Sequence, residues 1–130
     1  MPEKRFVLDT NAVIFLTSKG NLIPVDLQAE INEADLFISA ISEIELFAKP
    51  EMLPPEEKKL RIFINERLSV IDLTSAVKNE TILLRRTAKL KLPDCIVAAS
   101  AIAQNAVLLT ADRELLRLRS SGFIVKNFGT

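Results

Sequence analysis

Apolar residues in this chain fall into two alternating rhythms. Short runs of three, such as Phe6-Val7-Leu8, Leu36-Phe37-Ile38 and Val107-Leu108-Leu109, read as buried strands, with Val70-Ile71 a shorter one and Phe123-Ile124-Val125 the last. Between them the spacing changes to three and four. Thr10 or Asn11 caps a helix running to about Ser18, with Lys19 and Gly20 ending it. Pro24 opens a second helix with Leu27, Ile31 and Ala34 on one face, and a third begins at Ser39 and ends before Pro50. Pro55 suits the first turn of the next helix, where Leu60, Phe63, Ile64 and Leu68 share a side.

A helix from Ser75 to about Lys91 is expected to bury Ala76, Val77, Leu83, Leu84 and Ala88. Pro93 starts another, Asp112 to Arg119 forms a short one, and Gly122 ends it. Strands alternating with helices imply right-handed βαβ crossovers. The fold class expected is α/β: three layers, α/β/α, around a mostly parallel sheet of about five strands.

Composition narrows the setting. A chain of 130 residues is expected to form one domain, residues 1–130, with a sizeable core. The longest apolar stretch, Cys95 to Ala103, is far shorter than the ~20 residues that span a bilayer. Met1 to Arg5 lead into a strand with no apolar leader, and a single cysteine rules out a disulfide framework, so a cytoplasmic location is expected. Seventeen basic and seventeen acidic residues cancel, unlike a generic nucleic-acid binder with its basic excess. Steering depends on local fields, however, and basic clusters stand at Lys58, Lys59 and Arg61, at Arg85, Arg86, Lys89 and Lys91, and at Arg113, Arg117 and Arg119.

Four acids change the picture. Asp9, Glu45, Asp94 and Asp112 each follow a strand or open a helix, and in a parallel sheet such junctions share the edge where ligands bind. At 4 Å and an effective dielectric of 20, each like-charged pair would cost ~4 kcal/mol, so a cluster of this kind calls for a hard cation such as Mg²⁺ or Mn²⁺. Asp9 reads as free for this work, because Thr10 and Asn11 are themselves capable caps. Glu45 sits among Ile44, Leu46 and Phe47, where an unpaired carboxylate is costly, while Glu43 in the first turn suits the helix dipole. Asp94 opens a helix apolar nearly all round, and that helix start is expected to favour its ionised form. Asp112 looks like a good cap, and Asp72, after the third strand, is a fifth acid in a comparable position. Cys95 reads as a small core residue, and with no histidine in the chain a cysteine–histidine mechanism is excluded.

The joint pattern of Asp9-Thr10-Asn11, Glu45-Leu46, Leu92-Pro93-Asp94 with Ile96-Val97-Ala98-Ala99, and Thr110-Ala111-Asp112 resembles the PIN-domain nucleases, in particular the VapC-type toxins of toxin–antitoxin pairs. That resemblance implies a catalytic, metal-binding cluster of Asp9, Glu45, Asp94 and Asp112 holding one or two Mg²⁺ or Mn²⁺ ions, with Asn11 and Thr110 supporting it by hydrogen bonds. It implies an endoribonuclease leaving a 5′-phosphate and a 3′-hydroxyl. It also implies a homodimer and a cognate antitoxin that reaches the acids with a basic side chain. Phe15, Leu16, Phe47, Met52 and Leu53 are candidates for either contact or for the core.

Other readings stay open on sequence: a housekeeping PIN ribonuclease, a phosphatase using the same acids, or a PIN-like binding module without catalysis. A haloacid-dehalogenase phosphatase fits less well, since its second aspartate is replaced here by Asn11.

Overall fold

A computed structural model describes residues 4–19, 22–118 and 123–128. Gly20, Arg119 and Gly122, expected to end helices, lie outside the described residues, as do Met1, Pro2 and Glu3. In chain order the elements are β1 (Arg5–Leu8), α1 (Thr10–Lys19), α2 (Val25–Glu33), β2 (Asp35–Ser39), α3 (Ala40–Phe47) and α4 (Pro54–Arg67). There follow β3 (Leu68–Ile71), α5 (Ser75–Thr87), α6 (Leu92–Ala103), β4 (Val107–Thr110), α7 (Arg113–Leu116) and β5 (Val125–Asn127).

The five strands pair in the order β3-β2-β1-β4-β5, all parallel. From β1 the chain winds outward through β2 and β3, then returns past β1 to add β4 and β5. The order therefore reverses between β1 and β4, and the C-terminal ends of those two strands flank the crevice where such sheets take ligands.

Both sheet faces are covered, which explains the unbroken apolar runs in the central strands. Phe6, Val7 and Leu8 are fully buried, but side chains alternate along a strand. Phe6 and Leu8 pack with Ala12, Val13, Leu27, Ile31, Leu60 and Ile64 under α1, α2 and α4. Val7 faces Val77, Leu84, Cys95, Ala98 and Ala99 under α5 and α6. Ala98, Ala99 and Ala101 of α6 are wholly buried, so small side chains let this helix lie close to the sheet and carry Asp94 at its start. At its other end Asn105 takes a left-handed φ of 52°, while Ala106 and Asn105 donate to the Ala101 and Ile102 carbonyls. This is a Schellman close, with asparagine standing where glycine is commonest.

Four local expectations shift. Leu68 begins β3 instead of extending the α4 face, because the helix closes at Arg67. The α5 helix stops at Thr87, its buried stripe is Val77, Thr81 and Leu84, and both Ala76 and Leu83 are exposed. The last strand begins at Val125, two residues later than the apolar run suggests. Phe15, Leu16, Phe47 and Met52 pack partly buried against the core, Phe15 against Phe128 with ring centroids 5.2 Å apart, whereas Leu53 is exposed. No described helix is long and apolar enough to cross a membrane.

Candidate active site

The end of β1 passes directly into α1, and Asp9 is the residue between them. Its amide donates to the Leu109 carbonyl at 3.2 Å, prolonging the β1–β4 pairing by one bond and drawing Asp9 beside Thr110. Its Oδ1 accepts from the Ala12 amide at 2.7 Å, and its Oδ2 accepts from the Thr110 hydroxyl. Asp9 therefore caps α1 itself, contrary to the expectation that Thr10 or Asn11 would leave it free. Capping fixes the carboxylate in place and does not withdraw it from the cavity, which Asp9 still lines.

Thr110 joins the two strand ends. Besides donating to Asp9, it accepts from the Asp112 amide at 3.0 Å. Asp112 caps α7, as the sequence suggests, with Oδ1 accepting from the Glu114 and Leu115 amides at 2.8 and 3.3 Å. The other oxygen, Oδ2, takes neither bond.

Glu45 comes from the middle of α3, after Ser39 caps that helix by accepting from the Ile41 amide. It is exposed, and its Oε1 accepts from the Thr10 hydroxyl at 3.1 Å. Asp94 comes from the first turn of α6, next to Pro93. Together Asp9, Thr10, Asn11, Ser42, Glu45, Asp94, Val97, Asp112 and Leu115 line one cavity of about 290 Å³. All four acids singled out from the sequence meet there, with Asn11 on its rim. Glu43 instead lines a groove with Phe47, Arg61 and Asn65, and Asp72 an apolar cleft with Ile41, Ile71 and Ile96. Neither belongs to the acidic cavity.

Two residues of the site escape a sequence reading. Thr10 tethers Glu45, and Ser42 lines the wall beside it. The available signal is spacing: Ser42 precedes Glu45 by three residues, which puts both on one helix face.

The cavity is hostile to negative charge. Burial raises the Asp9 carboxyl above its ordinary range, against the lowering effect of the Thr110 and Ala12 hydrogen bonds, and Asp112 and Asp94 raise it further. Burial also raises Asp94, followed by repulsion from Asp112 and Glu45, with Lys91 opposing. Burial and the neighbouring acids thus move the Asp94 carboxyl upward, opposite to the direction expected from the helix start. Among the described residues, no lysine or arginine lines the cavity.

Among the described residues, no three Asp, Glu or Cys side chains already form a closed chelate. The donor set nevertheless suits a small hard cation, being all oxygen, anionic and mutually repelling. Mg²⁺ in particular is commonly held by one or two carboxylates, with retained waters and substrate phosphates completing its shell.

Thr110→Val tests how far this framework holds Asp9. The isosteric change removes the donor to Asp9 and the acceptor for the Asp112 amide, and should cost about 1–3 kcal/mol. A fall in the urea midpoint at unchanged slope would measure it. An NMR titration should place the Asp9 carboxyl higher still than in the parent, since the Thr110 bond lowers it.

The chain matches the family model of the PIN domain over residues 6–120. No curated protein matches it in sequence. Among solved structures it is similar to VapBC2 from Rickettsia felis, bound to a DNA fragment from its promoter, at 26% identity and a TM-score of 0.75, covering 95% of this chain and 98% of that one. DNA-bound VapBC from Salmonella typhimurium is 24% identical with a TM-score of 0.71, covering 96% and 98%. A toxin–antitoxin complex from Klebsiella pneumoniae is 24% identical with a TM-score of 0.72, covering 91% and 94%.

Proposed function

Because the chain belongs to the PIN domain family, we propose that it is a metal-dependent endoribonuclease and the toxin of a toxin–antitoxin pair. The observation that carries this reading is the meeting of Asp9, Glu45, Asp94 and Asp112 in one cavity beside the point where strand order reverses. These four acids hold Mg²⁺ or Mn²⁺. The chemistry such a cation supplies is a water of lowered pKa and neutralisation of charge on the phosphate under attack.

The chain's own groups do the positioning. Asp9 is pinned at both oxygens by Ala12 and Thr110, and Asp112 at one by the start of α7, so two ligands are fixed before anything binds. Glu45, on a single hydrogen bond to Thr10, is the adjustable one. Val97 and Leu115 give the cavity an apolar flank that limits water. With no histidine in the chain, protons pass through carboxylates and water.

The partner reading rests on the solved relatives, which are toxin–antitoxin complexes, two of them on DNA. An antitoxin covers the acidic cavity with a basic side chain, and the chain pairs with a second copy. Exposed Ile44 and Leu73, beside an apolar cleft lined by Ile41, Ile71 and Ile96, support a protein partner on that face.

Matched single-stranded RNA and DNA test the activity. RNA should be cut in Mg²⁺ or Mn²⁺, leaving 5′-phosphate ends, and should survive in EDTA. An RNA left whole in every cation, or cut equally well in EDTA, removes the proposal.

A further inference from the structure

Ser42 lies in the first turn of α3, is completely buried, and lines the acidic cavity. Its Oγ has no hydrogen-bond partner among the described residues. Buried hydroxyls are nearly always satisfied, and a helical serine or threonine usually turns back to a carbonyl one turn earlier. Thr81, Thr87 and Ser100 all do so in this molecule. Among the buried side-chain polar atoms of the described residues, the Ser42 Oγ alone lacks a partner, and Ser42 lines the site.

The carboxylates around it differ in how much they can accept. Both Asp9 oxygens already have donors, and Asp112 Oδ1 has two. Glu45 is exposed, is held only through Oε1 by Thr10, and shares a helix face with Ser42 at a spacing of three. We propose that Ser42 is a positioning residue for the cation site, its hydroxyl donating to the Glu45 carboxylate when the acids gather around a divalent ion. This rests on the cation-binding reading of the same cavity.

The argument is one of linkage. A hydroxyl unpaired in the cation-free protein and paired in the loaded one contributes its hydrogen bond to the loaded state alone, so the bond appears as ion affinity. Outer partners of metal ligands typically govern affinity by ~10–100-fold.

The test titrates Mn²⁺ by calorimetry into the full chain stripped with EDTA, for the parent, Ser42→Ala, Glu45→Gln and the double variant. Ser42→Ala should bind ~10-fold more weakly than the parent. Its cation-free thermal midpoint should equal or exceed the parent's, because an unsatisfied hydroxyl has been removed. In the Glu45→Gln background, where a neutral amide oxygen is the weaker acceptor, the same change should cost clearly less. Parent-like binding by Ser42→Ala overturns the proposal and leaves the cation site standing. So does a loss of cation-free stability with binding unchanged, which would make Ser42 a packing residue. A full loss persisting beside Glu45→Gln overturns the assignment to Glu45. A parent that binds no Mn²⁺ removes the cation site and this role together.

Discussion

Asp9→Asn should end phosphodiester cleavage while leaving the cation-free protein at least as stable as the parent. Asparagine caps helices as well as aspartate does, so its Oδ1 can keep the bond from the Ala12 amide. Rotation of the Thr110 hydroxyl lets it accept from the new amide where it donated to the old carboxylate. What disappears is a buried anion that its surroundings disfavour. Asp9→Ala makes the contrast: it should lose cleavage too, but also about 1 kcal/mol of stability with the cap, and more because Thr110 is left without its acceptor. Loss of a direct ligand should exceed the ~10–100-fold typical of an outer partner. Cleavage by Asp9→Asn within tenfold of the parent would show that this carboxylate does not take part.

Divalent cation should stabilise the fold, and more so at neutral pH than in acid. The folded-state carboxyls of Asp9 and Asp94 are raised above their ordinary value of 3.8, burial being the main cause of both. Each therefore favours folding most when protonated, below that ordinary value, and the benefit is lost as pH rises through the raised one. At neutral pH both anions are held at a cost, which a bound cation offsets. Mn²⁺ at a hundred times its Kd should add about 2.7 kcal/mol. For a chain of this size that is a rise in thermal midpoint of roughly 10 °C. The rise should shrink as the pH is lowered into the carboxylate range, since ligands must be deprotonated to bind. Asp94→Asn should show little of it. A melting curve indifferent to Mn²⁺ at neutral pH would be incompatible with the proposed site.

Much of this was legible in the chain because burial on both faces writes itself as unbroken apolar runs. Phe6-Val7-Leu8 and Val107-Leu108-Leu109 could hardly be anything but central strands, and each led to an acid of the site. Weaker signals failed where tertiary context decides. Leu83 has the right residue type for a buried stripe but lies on the outer side of α5, and Leu68 keeps the helical spacing of Leu60 and Ile64 after the helix has closed. At the site, strand-to-helix junctions and the family resemblance pointed to the four acids, with Thr110 in support, but not to Thr10 as the tether of Glu45. The Asp9–Thr110 and Thr10–Glu45 bonds join residues far apart in sequence, and no local pattern encodes them. The raised Asp94 carboxyl was missed for the same reason: its neighbours Asp112 and Glu45 arrive from other elements.

The bond between Asp9 and Thr110 spans 101 positions of the chain. During synthesis that length of chain separates the first partner from the second, and Asp112 comes later still. An unfinished polypeptide carries Asp9, Glu45 and Asp94 with nothing to complete them. The acidic cavity is therefore assembled last, only once strands from both halves of the chain have paired.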